Sequence, residues 1–113
     1  MSSFQIVGPI GIHRHHLAAI CEESHGHTHN YDHTTIVLAG RICITRENLI
    51  DGVWVASLPE EYDRGEAAYV PANEKHTIKA LEPNAEWLCV FSHRDFDGLR
   101  TQRYTHGNVA AYH

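Results

Sequence analysis

The chain has 113 residues, 42% hydrophobic and 20% charged, and a formal net charge of −5 with its eleven histidines neutral. Those values fit a single folded domain over residues 1–113 and argue against a disordered chain. Nine Lys and Arg, scattered among fourteen Asp and Glu, give no basic stripe for nucleic acid or an anionic membrane.

No apolar run reaches the roughly 20 residues that span a bilayer, and no secretory signal opens the sequence. Cys21, Cys43 and Cys89 are odd in number, lack C-x-x-C spacing and sit among apolar neighbours. Buried free thiols in a reducing cytoplasm are therefore the expectation.

Short β-branched or aromatic runs recur along the chain: FQIVG, HHLAAIC, HTTIVLAG, RICITR, GVWVASL, EAAYVP, HTIKAL and EWLCVFSH. Helical periodicity is hard to find. Turn residues separate the runs at Gly8-Pro9, Asn48, Asp51-Gly52, Pro59, Arg64-Gly65, Asn73 and Pro83-Asn84. Asp51-Gly52 between two such runs predicts a hairpin. Many short strands in so small a chain predict an all-β antiparallel sandwich or barrel. In a monomer the N-terminal FQIVGPIGI strand would lie unpaired at an edge, so a homodimer is expected. The tail 95–113 is predicted either to pack across the barrel or to reach a partner subunit.

Histidine dominates SHGHTHNYDHTTIVLAG, residues 24–40. Residues two apart on a strand face one side, so His27 and His29 can converge on one point. A divalent cation needs three or more such donors at about 2.0–2.2 Å. His33 follows His29 with three residues between them, then comes Gly40, and farther on Gly65-x5-Pro71-x4-His76 adds a second element.

This two-part pattern resembles the cupin superfamily. The first cupin motif, G-x5-H-x-H-x3–4-E-x6-G, is matched by HTHNYDHTTIVLAG, and the second, G-x5-P-x-G-x2-H-x3-N, by GEAAYVPANEKHTIKA at residues 65–80. The second half is also similar to oxalate decarboxylase-type cupins. The resemblance implies a single antiparallel jelly-roll β-barrel with little helix. It further implies one divalent transition metal (iron, nickel, zinc, copper or manganese) held by His27, His29, His33 and His76. Departures are specific. His33 replaces the motif's glutamate, Asn73 a glycine, Ala80 an asparagine, and Ser24 stands where oxalate decarboxylases carry arginine. Asparagine tolerates positive φ, so the Asn73 turn is expected to survive.

All-histidine cupins include dioxygenases acting on chelating diketones or catechol-like compounds, and metal-dependent cyclases. The expected function is therefore a small-molecule enzyme for an oxygen-rich chelating substrate, working as a dioxygenase or as a non-redox cyclase or isomerase. The alternative is a non-catalytic ligand-binding or sensing cupin. Tyr31 and His93 are the candidate proton handlers. Tyr31 could equally be a surface turn residue, and His93 a surface group at a strand end. His25 is read as an exposed neighbour, Arg41 as a strand-edge charge, and His13, His15 and His16 as a solvent-facing strand start.

Overall fold

The computed structural model describes residues 2–29 and 31–92, and all regular structure among them is β. The strands are β1 Ser2–Val7, β2 Ile10–Leu17, β3 Glu23–His27, β4 His33–Ala39, β5 Arg41–Ile50, β6 Val53–Ala56, β7 Glu60–Asp63, β8 Ala67–Val70, β9 Lys75–Ala80 and β10 Ala85–Ser92. With no helix described, none is long and apolar enough to cross a membrane. The tail 95–113 and His93 lie outside the described residues.

Two five-stranded antiparallel sheets result. One has the order β1-β2-β10-β4-β8; the other runs β3-β9-β5-β6, with β7 also paired to β5. The jelly-roll expectation holds, with the described ladders forming two facing sheets rather than one closed circuit. Alternation writes the core into the sequence: in β10, Ala85, Trp87, Cys89 and Phe91 are buried and the residues between them are not. Val37 from β4, Ala68 from β8, and Ile42, Ile44, Ile78 and Ala80 from the second sheet complete the main apolar cluster.

Turn chemistry decides several corners. Gly40 (φ 71°) joins β4 to β5, and a Cβ there would stand 3.2 Å from the Ala85 backbone. The predicted Asp51-Gly52 hairpin joins β5 to β6. Asn73 adopts φ 67°, the left-handed conformation foreseen for it.

Four expectations need correction. β2 ends at Leu17, and the AAIC segment is a turn. Glu22 makes it, accepting the Ala19 N–H on its side chain while its own N–H reaches Ala19 O. Cys21 is consequently exposed, with φ 70°; only Cys43 and Cys89 are buried. The N-terminal strand is not left over, because β1 pairs with β2 from Ser2↔His15 to Val7↔Ile10. Most consequentially, His13 and His15 do not face solvent: they are 2% and 6% exposed. Only His16, of that group, lies on the outer side, near Asn84. Arg41 behaves as a strand-edge charge, paired with Asp63 at 2.9 Å and with Glu61.

Two strands escaped the sequence reading, β3 (ESHGH) and β7 (EEYD). Neither has strand-favouring composition. The ladders to β9 and β5 impose their conformation, as tertiary context often does for strands.

A close approach fixes one wall of the interior. Gly11 lies opposite Phe91, and a Cβ on it would meet the Phe91 ring at 2.4 Å. That ring is wedged between Phe4 and Tyr31, at centroid distances of 6.0 and 4.8 Å. Gly11→Ala is therefore expected to cost roughly 1–3 kcal/mol in overpacking, read from the urea midpoint. Adding Phe91→Leu should recover part of that loss; full stability in Gly11→Ala alone would contradict the packing.

Candidate metal centre

Three elements bring three imidazoles together. His33 opens β4 with its side chain inward, in register with Val70 of β8. His76 lies on β9, whose inward positions alternate His76, Ile78, Ala80. His29 follows β3 in a loop, where its carbonyl accepts the Asn73 N–H at 2.6 Å. The positive φ of Asn73 therefore ties the two histidine-bearing segments to each other.

The three rings form a near-equilateral triangle, with centroids 5.2 Å (His29–His33), 5.0 Å (His29–His76) and 5.2 Å (His33–His76) apart. All are buried, and one ring nitrogen from each lies within 4.8 Å of the other two. Zinc–imidazole bonds are about 2.0–2.1 Å, so small ring rotations suffice to meet one ion.

Protonation favours ligation. His33 has its pKa lowered from 6.5 to about 3, first by burial, then by the charges of His76, His13 and Arg46, with Asp32 opposing. It is neutral at any physiological pH. Neither of its ring nitrogens has a hydrogen-bond partner among the described residues, a costly arrangement for buried polar atoms that a metal would relieve. Nδ1 of His76 lies 3.4 Å from Glu74 O, which as acceptor favours a proton on Nδ1 and the lone pair on Nε2. The donor set thus fits a divalent transition metal.

Of the candidates from sequence, His29, His33 and His76 are brought together. His27 occupies the end of β3, its backbone in register with His76. Tyr31 is no surface residue: it is buried, with its ring 4.9 Å from His29 and 6.2 Å from His33.

Sequence reasoning missed the second buried pair. His13 and His15 join Phe4 and Trp87 in a column, with successive ring centroids at 4.6, 5.5 and 5.2 Å. Cys89, in register with His13, is hydrogen-bonded to Thr35 at 3.6 Å. Burial pushes its thiol up to about 11, so it stays protonated and unreactive. Gly11, His13 and His15 keep two-residue spacing, which puts them on one face of β2 without saying whether that face is the inner one.

Arg46 was also missed. Its guanidinium donates to Glu60 at 3.0 Å, Glu74 at 2.8 Å and Tyr69 O at 2.7 Å, and its Cα faces that of His76 across the β5–β9 ladder.

The sequence matches no family model and no curated protein. Solved structures do match. An RmlC-like cupin family protein with a double-stranded β-helix fold, from Methanocaldococcus jannaschii, aligns with TM-score 0.64 and 21% identity over 81% of this chain and 80% of that one. KdgF from Halomonas sp. aligns with TM-score 0.63 and 19% identity, covering 87% and 82%. An oxalate oxidase structure gives TM-score 0.65 and 15% identity over 74% of this chain and 42% of the other. The fold is that of the cupins. At these identities the likeness is one of architecture, and the site must be argued from its own residues.

Proposed function

We propose that the chain is a metal-binding cupin in which His29, His33 and His76, with His27 as fourth ligand, hold one divalent transition metal. On this reading it is a small-molecule enzyme acting on an oxygen-rich chelating substrate, as a dioxygenase or as a non-redox cyclase or isomerase. The observation that carries the proposal is the buried triangle of neutral imidazoles with convergent nitrogens.

A bound ion would supply Lewis acidity undiminished by any carboxylate ligand. The chain's own residues do the rest. Burial keeps His33 neutral, Asn73 anchors the His29 loop, and Tyr31 packs its ring against His29 to limit rotation. Phe91 and Phe4 extend that aromatic wall and exclude water from it. Tyr31 and His93 are the proposed proton-handling groups, Tyr31 by virtue of its contact with His29.

A second reading, a ligand-binding or sensing cupin without turnover, draws on a different observation. The buried polar residues described are five histidines and Thr35, with no carboxylate among them, so a general base must be an imidazole or come with the substrate.

Elemental analysis of the protein purified from its native host, alongside His76→Ala and His33→Glu, tests the site. Near-stoichiometric metal is expected in the native chain and in His33→Glu, with loss in His76→Ala. Equal metal content in His76→Ala and the native chain would remove the proposal. Oxygen uptake or product formation by the loaded protein with chelating diketones then separates enzyme from binder.

A further inference from the structure

The β5–β6 hairpin carries a surface that the fold leaves uncovered. All four residues of β6 are exposed, which places both faces of this short strand beyond the packed sheets. Of the ten large apolar side chains exposed among the described residues, six lie here: Leu49, Ile50, Val53, Trp54, Val55 and Leu58. Leu58 is 86% exposed. β6 also ends its sheet, so its outer row of N–H and C=O groups has no neighbouring strand in the order.

Edge strands are normally protected by charge, proline or a bulge. Val53–Leu58 reads VWVASL, with none of these. By contrast, β7 reads EEYD and β3 begins with Glu23. The outer strands of the other sheet, β1 (SSFQIV) and β8 (AAYV), also lack charge and proline but expose fewer large apolar side chains, Ile6 and Val7 on β1 and Tyr69 on β8. An undefended edge flanked by exposed apolar side chains is expected where a partner strand covers it.

Charge selects the partner. The chain carries a formal net −5, so two copies repel over most of their surfaces and associate best on an uncharged one. An uncharged strand sets no like charges opposite each other when it pairs with itself. The six side chains offer on the order of 500 Å² per chain, so two copies can hide at most roughly 1,000 Å², which places the pairing at the small end of specific interfaces. We propose that β6 pairs antiparallel with β6 of a second copy, joining the β3-β9-β5-β6 sheets of two chains across a two-fold axis.

This inference is independent of the metal. Size-exclusion chromatography with light scattering on the full chain should give a dimer mass. Val55→Lys puts like charges across the new ladder and should raise the dimer dissociation constant by at least about tenfold, with the thermal melt of the monomer unchanged. Val7→Lys, on the β1 edge, should leave the dimer intact. Deuterium exchange should show the outer amides of β6 protected in the native chain and fast in Val55→Lys. A monomeric native chain overturns the proposal, including the case where residues 93–113 of the same chain cover the hairpin. So does a dimer that survives Val55→Lys or dissociates with Val7→Lys.

Discussion

Acidification destabilises the metal-free chain through His33 by about 1.4 kcal/mol for each pH unit between its unfolded and folded values. The sign follows from the depressed pKa, 6.5 falling to about 3 on folding. Within that window the unfolded imidazole binds a proton that the folded one refuses, so protons favour unfolding. Stability from this group is complete above pH 6.5, declines as pH falls, and levels off below about 3. Burial is the leading cause, and the charges of His76, His13 and Arg46 add to it. Urea midpoints measured with a chelator across this range isolate the effect when the native chain is compared with His33→Leu. Carboxylates titrate in both, so their contribution cancels in the difference. The variant should show the shallower pH dependence and, near the bottom of the window, equal or exceed the native chain. Parallel curves for the two proteins would mean that His33 is solvated. Added zinc or nickel should steepen the native curve further, because ligation also requires a neutral ring.

That His33 would stand beside His29 and His76 was legible in the sequence, because motif spacing positions a side chain even where its identity departs from the family pattern. The same holds for Gly40 and Asn73, whose backbone conformations depend on residue type and local geometry alone. His13 and His15 show where such reading stops. An alternating histidine pair has the same periodicity whether it faces water or core, and imidazole is amphipathic enough for either. The outcome was settled by β2 lying between β1 and β10, with His15 opposite Trp87 and His13 opposite Cys89. That neighbourhood is set by strand order, which the hydrophobic pattern does not encode. β7 is a further instance: EEYD becomes a strand because the β5 ladder from Arg41↔Asp63 to Ile44↔Glu60 imposes it, with Arg41 pairing Glu61 and Asp63 at its surface.

Arg46→Met is expected to cost roughly 2–4 kcal/mol and to weaken metal binding up to about tenfold, although Arg46 is no candidate ligand. The side chains of Arg46 and Glu74 are 16% and 11% exposed, so neither charge is well hydrated alone. Removing the guanidinium leaves the Glu74 carboxylate accepting from Asn48 Nδ2, at 3.1 Å, without its cation. The Tyr69 carbonyl loses its donor as well. Glu74 lies two residues before His76 and its carbonyl faces His76 Nδ1, so strain there reaches the ring that completes the triangle. Arg46→Lys keeps the charge but cannot serve Glu60, Glu74 and Tyr69 O together through a planar fork, and should lie between native and Met. Adding Glu74→Gln to Arg46→Met removes the stranded charge and should restore part of the stability. It should not restore the metal affinity, because the turn before His76 still lacks its brace. Urea denaturation and calorimetric zinc titration of the four proteins separate the two effects. If Arg46→Met binds zinc like the native chain while losing stability, Arg46 supports the sheet and has no hold on the site.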